Sequence, residues 1–254
     1  MQHLRTLLCV SALLSLFSST ALAQTAATGN IEGIVADASG GVLPGVPVVI
    51  RNQDTNVVRE STTDDAGRYR APALQPGVYE VSATLSGFTA RPVANIRVQV
   101  GTTVPVDIRM QPAGVAETIS VVAEAPVIDV RRTDVSSIVD ETAIDNLPIN
   151  GRRWDTFVLL SPGVTNDGNF GLISYRGISG LYNNNMVDGV DNNQAFFSEA
   201  RGRTRAVYSI SSASIKEFQV GVSNMSAEFG RAAGGTVNAV TKSGTNAISG
   251  EGFY

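Results

Sequence analysis

Between positions 30 and 110, apolar residues recur at about every second place in short runs, and Gly, Pro, Asp or Asn closes each run. Ile31, Ile34 and Val35 open the series, and Asp37 to Gly41 turns the chain. Val46, Val48 and Ile50 then alternate with Pro47, Val49 and Arg51, the period of two that places one set of side chains on a common face of a strand. After a turn from Asn52 to Asn56 comes a strand from Val57 to Thr63. Asp64-Asp65-Ala66-Gly67 turns again, with Gly67 supplying a positive φ. Further strands are expected over Arg68 to Leu74, over Val78 to Ala83 after Gln75-Pro76-Gly77, over Val93 to Val100 and over Thr103 to Ile108. About seven short strands with regular turns predict a sandwich or small barrel.

Beyond Gln111-Pro112-Ala113-Gly114, read as a linker, the pattern changes. Thr118, Ile119, Val121 and Val122 are β-branched and suit an extended segment. From 127 to 245, polar loops alternate with short regular pieces. Asp140 to Leu147 predicts a short helix stopped by Pro148. Trp154, Phe157, Val158 and Leu160 lie near helical spacing and predict a core-facing side. Ser214 to Val220 reads as a strand. In the stretch after it, Gly230, Ala232, Ala233, Gly234 and Gly235 strip away side chains so that the backbone can lie close to another surface. Val237 and Val240 restore strand propensity, and Ser243-Gly244-Thr245 turns the chain before Ile248 and Phe253.

The first 23 residues stand apart from any fold. Arg5 supplies a positive start, Leu7 to Phe17 is apolar, and Ala21-Leu22-Ala23 before Gln24 has the small-x-small pattern of a cleavage site. The apolar run is shorter than the roughly 20 residues a permanent span needs, so a signal peptide and export are expected. Removing 23 of the 254 residues leaves 231 with neither histidine nor cysteine, since His3 and Cys9 both lie in the leader. Triads, Cys-His dyads and the usual zinc sites then lack a required member, and disulfides are excluded. No catalytic residue, metal ligand or cofactor is expected. Loss of Arg5 takes the net charge from −4 to −5, which gives no basic face for nucleic acid.

Sharper motifs fail one by one. Thr241-Lys242-Ser243 lacks the glycine that a phosphate loop needs before its lysine. Gly177-Ile178-Ser179-Gly180 lacks the spacing of a nucleophile elbow. Asp188, Asp191 and Asn192 do not have EF-hand spacing and read as a solvated turn. Arg201, Arg203 and Arg205 read as loop charge.

Two resemblances organise these pieces. Gly33-Ile34-Val35-Ala36-Asp37, Leu43-Pro44-Gly45-Val46-Pro47-Val48, Thr63 to Tyr69, Leu74 to Tyr79 and Ser86-Gly87-Phe88 resemble, in order, the carboxypeptidase regulatory-like domain. That resemblance implies a transthyretin-like seven-stranded β-sandwich over 24–111, grouped with carbohydrate-binding-like folds, so that it could serve as a spacer, an interaction module or a glycan contact. Fold analogy does not choose among these roles.

Ser174-Tyr175-Arg176-Gly177, Asn183 to Gly189, Val190-Asp191, Ile215 to Phe218 and Gly230 to Gly244 resemble, in order, the plug domain of a TonB-dependent outer-membrane transporter. Gly177, Asp188, Gly189, Gly230, Gly234, Gly235 and Lys242 are its landmarks here. Glu117, Thr118, Ile119, Ser120, Val121, Val122 and Ala123 resemble a TonB box, an extended stretch able to add to the edge of another sheet.

The expected organisation is a signal peptide over 1–23, the sandwich over 24–111, a linker with the box over 112–126, an α+β plug over 127–245 and, over 246–254, the start of a first barrel strand at which the sequence stops. The family implies an outer-membrane location, a TonB-type energy transducer in the periplasm, a C-terminal β-barrel, and a small ligand such as an iron chelate, cobalamin or oligosaccharide. Tyr175, Arg176, Tyr182, Asn183, Asn184 and Asn185 are the expected loop contacts to that ligand. A secreted glycan-binding or adhesion protein built on the sandwich is the alternative, with 127–254 as an accessory domain.

Overall fold

The computed structural model describes residues 27–113, 134–147, 154–167, 172–193, 210–225, 229–248 and 250. The leader, the box at 117–123, the arginines at 201, 203 and 205 and the last four residues lie outside them. The described chain is mainly β, as expected, and forms two units.

The first unit is a sandwich of nine strands: β1 (Gly29–Asp37), β2 (Pro47–Asn52), β3 (Val58–Thr62), β4 (Arg68–Leu74), β5 (Gly77–Ala83), β6 (Phe88–Thr89), β7 (Val93–Val98), β8 (Thr103–Pro105) and β9 (Ile108–Pro112). One sheet runs β4-β1-β9-β6, with β8 also paired to β1, and the other runs β3-β2-β5-β7. The expected alternation is met: Val46, Val48 and Ile50 are fully buried, and Val81, Ile31 and Val35 join them in one apolar core. Tyr69 and Tyr79 bury their rings there and donate their hydroxyls to the carbonyls of Val106 and Gln75, at 2.7 and 2.8 Å. This leaves neither polar tip stranded in an apolar core. At Gly33 a Cβ would stand 1.9 Å from the Val106 carbonyl oxygen, so that strand crossing requires glycine.

Two expectations need correction here. The stretch from Thr103 divides into β8 and β9, and Phe88–Thr89 adds a short strand, so there are nine strands where seven were expected. Gln111 and Pro112 belong to β9 and pair with β6, so the linker starts later than the Pro-Gly composition suggested. Pro112 is tolerated because it ends its strand, where a missing N–H costs least.

The second unit has β10 (Val135–Val139), helix α1 (Glu141–Asn146), a 3-10 helix (Trp154–Leu160), β11 (Val164–Asp167), β12 (Leu172–Tyr175), β13 (Asn184–Val187), β14 (Val190–Asp191), β15 (Ile215–Ser223) and β16 (Thr236–Thr241). Its main sheet runs β10-β15-β16-β13-β14, while β11 and β12 form a separate hairpin. The Asp140 carboxylate caps α1 by accepting from the Ala143 amide at 3.0 Å. Phe157 and Val158 are buried, and Phe157 stacks on Phe218 of β15 with ring centroids 5.9 Å apart. Leu160 does not share that core: it is 53% exposed, because a 3-10 helix advances three residues per turn and rotates it off the buried face.

Candidate functional site

Strand β13 carries the polar centre of the second unit. It lies parallel to β16, with Asn184 opposite Thr236 and Asn185 opposite Val237, and pairs with β14 through a two-residue turn. That turn is Asp188-Gly189, with φ of 51° and 78°. Both residues are left-handed, the geometry for which Asp-Gly is favoured in tight hairpins. The Asp188 carboxylate then accepts the Thr241 amide at 2.9 Å and the Thr241 hydroxyl at 2.8 Å, while Asn238 accepts the Gly189 amide at 2.9 Å. The Asp-Gly landmark therefore clips the hairpin to the end of β16.

Asn183 is 2% exposed and bridges two segments: its amide nitrogen donates to the Ile173 carbonyl at 2.5 Å, and its oxygen accepts the Gly235 amide at 3.1 Å. Asn184 donates to the Gly230 carbonyl at 2.8 Å and accepts from Asn193 at 2.6 Å. The Asn193 oxygen in turn accepts the Asn185 amide at 3.1 Å. Asp191 accepts from the Asn193 amide and pairs with Arg231. Desolvation raises the Asp191 pKa, but the hydrogen bonds from Asn193 and the Arg231 guanidinium together outweigh it and hold the carboxyl below its usual value.

The glycine-rich stretch is shaped by the same packing. A Cβ on Gly235 would fall 2.3 Å from the Tyr175 ring, and one on Gly234 would fall 2.2 Å from the Asn183 amide oxygen. The expected close approach of backbone to another surface is thus present, and the surface is the chain's own aromatic and amide groups. Lys242 reaches back to Glu141 of α1 at 2.9 Å.

The expected ligand contacts separate into two groups. Tyr175 was expected on a loop, but it ends β12 and is 1% exposed beneath Gly235. Asn184 and Asn185 lie in a strand and Asn183 just before it, and all three are buried. Their amides are engaged inside the unit because a buried amide without a partner is costly. Arg176 and Tyr182 are exposed: Arg176 shares a left-handed turn with Gly177, at φ of 53° and 81°, and Tyr182 ends a short 3-10 helix. Asn193, Asn238 and Glu217 were not singled out from the sequence, although Asn-rich spacing around 183–193 was a usable signal for the first. Among the described residues no cluster of His, Cys, Asp or Glu suits a metal. No described helix is long and apolar enough to cross a membrane, which says nothing of strands.

Comparison with known proteins bears on both units. Residues 30–111 match the carboxypeptidase regulatory-like domain family. Over 248 residues, 94% of its length, the chain is 30% identical to the TonB-dependent transporter Oar of Myxococcus xanthus. It spans 22% of that protein. Among solved structures, the Bacillus anthracis TIE protein is 21% identical over 34% of this chain and 17% of its own, with a TM-score of 0.30. The minor pilin GBS52 of Streptococcus agalactiae is 20% identical over 38% of this chain and 49% of its own, also at 0.30.

Proposed function

We propose that the chain is the front part of a TonB-dependent outer-membrane transporter, in which the second unit is the plug that gates ligand uptake and residues 117–123 are the TonB box. The observation that carries this reading is the 30% identity to a transporter along nearly the whole chain, through both units in the same order. The pinned polar strand supports it. A plug has to be held in a defined arrangement within a barrel, and a satisfied buried hydrogen-bond network rigidifies and specifies such an arrangement. In this reading Arg176 and Tyr182 face the ligand, and the buried asparagines hold the segment that presents them. A ligand opens the plug only through contacts that differ between its two states. The transducer grips the box as an added strand, which needs free backbone groups along Thr118 to Val122.

Proline at Ile119 or Val121 removes one donor from that strand and fixes its φ. In the full-length protein, Ile119→Pro is expected to abolish energised uptake, assayed with an iron chelate, cobalamin and an oligosaccharide, while binding to cells is kept. Uptake at the wild-type rate would refute the box.

A further inference from the structure

Among the described residues the two units touch at the turn between β7 and β8 of the sandwich, and what that turn meets is polar. Gln99 to Thr102 links β7 to β8 and is braced internally: the Thr102 hydroxyl donates to the Gln99 carbonyl at 2.7 Å and accepts the Gln99 amide at 3.2 Å. Val100, at its tip, is fully buried and donates its amide to Oε1 of Glu217 on β15 at 2.5 Å. Gly101 follows with φ of 65°, and a Cβ there would stand 2.4 Å from Nε2 of Gln219. Glu217 and Gln219 are two residues apart on one strand and therefore share a face. That face is opposite to Phe218 and Val220, which pack into the apolar core of the second unit. Around the turn, Arg97 of β7 pairs with Asp140 at 3.8 Å, and the Asn246 amide donates to the Asp54 carbonyl at 3.3 Å.

A carboxyl and an amide side by side, 4% and 7% exposed, are an unusual pair to place under a backbone turn. The Gln219 oxygen Oε1 is buried and receives no hydrogen bond. An ionised Glu217 can only accept, so it offers that oxygen nothing, whereas a protonated one has an O–H to donate on the face that both side chains share. The charged groups around Glu217 act in both directions. Lys216 on β15 and Arg97 on β7 favour the ionised form, Asp140 at the cap of α1 opposes it, and β16 presents only Val240 opposite.

We propose that this face of β15 is a docking surface for the chain's own sandwich, and that a proton on Glu217 operates it as a clasp, closed with the proton bound and loosened without it. The proposal stands whether or not the protein transports. Burial pushes the Glu217 carboxyl above its ordinary value, the Val100 amide and then Lys216 oppose the rise, Asp140 adds to it, and Arg97 opposes it. The sign follows from linkage. The docked state holds a proton that a solvated carboxyl would release, so the proton's contribution to docking is fully present below the ordinary carboxyl pKa and is lost as pH rises through the raised value. One proton is involved, so the docking constant changes by at most about tenfold per pH unit.

The test uses the chain with Cys9→Ser and spin labels at two exposed positions, Val58→Cys on β3 and Val190→Cys on β14, with pulsed electron resonance reading the distance between the units. From pH 4 to pH 8 the single docked distance is expected to give way to a broad distribution. Glu217→Gln keeps an acceptor for Val100 and adds a donor, so it is expected to hold the docked distance across the whole range. Gly101→Val, which clashes with Gln219 and leaves both cores untouched, is expected to lose that distance at every pH with unchanged circular dichroism. A pH response that persists in Glu217→Gln would overturn the proton link. A docked distance unchanged in Gly101→Val would overturn the docking surface.

Discussion

The two units bury their interiors in opposite ways. The sandwich core is mostly aliphatic around the rings of Tyr69 and Tyr79, with Val46, Val48, Ile50, Val81 and Ile31 fully buried between its sheets. The second unit has an apolar side too, around Phe157 and Phe218, but it buries three successive asparagines, Asn183 just before strand β13 and Asn184 and Asn185 within it, and its glycines are set against a tyrosine ring and an amide. Apolar contact is non-directional and survives small shifts. A buried amide network is directional: satisfied, it specifies one arrangement, and each member left without a partner is costly. The first unit is held by apolar contact, and the second adds to its apolar side a buried network that specifies one arrangement.

Substitutions sharpen this contrast, and Trp154, the single tryptophan, lies in the 3-10 helix of the second unit, so urea unfolding is followed by its fluorescence beside circular dichroism. The largest effect is expected in the sandwich, where Ile50→Ala should cost about 4 kcal/mol by removing buried methyl groups and leaving a cavity. Its fluorescence transition should stay in place. Gly235→Val should cost the second unit about 3 kcal/mol, because the new side chain must displace the Tyr175 ring. Asn183→Leu leaves the Ile173 carbonyl and the Gly235 amide without their partner, for about 2 kcal/mol. Asp188→Ala removes the clip between the hairpin and Thr241 and should cost about 1 kcal/mol. If Asn183→Leu proved neutral, the second unit would be held by its apolar side alone and the contrast would fail.

Local pattern explains why so much of the sandwich is legible in the sequence. Alternation at 46, 48 and 50 marks the core face directly, and Gly67 takes the positive φ, 70°, that its turn demanded. The short strands β6 and β8 were missed because two or three residues carry no periodicity. The parallel pairings of β1 with β9 and of β13 with β16 join distant segments, and nothing local encodes them. In the second unit, Asp140 was read as the start of a helix, and it serves as the cap. Asn183 to Asn185 looked like a loop because asparagine disfavours strands, and the amide network overrides that preference. Glu217 sits within an ordinary strand pattern and became visible only when the Val100 turn was seen on top of it.

In the proposed function this chain links a periplasmic transducer, through residues 117–123, to a plug. That link is tested most directly by titrating the chain with the periplasmic domain of a TonB-type transducer from the same organism in a calorimeter. Saturable binding by the wild type, lost in Ile119→Pro and kept in Ile50→Ala, is the result the account predicts. Equal binding by wild type and Ile119→Pro, or none by the wild type, would contradict it.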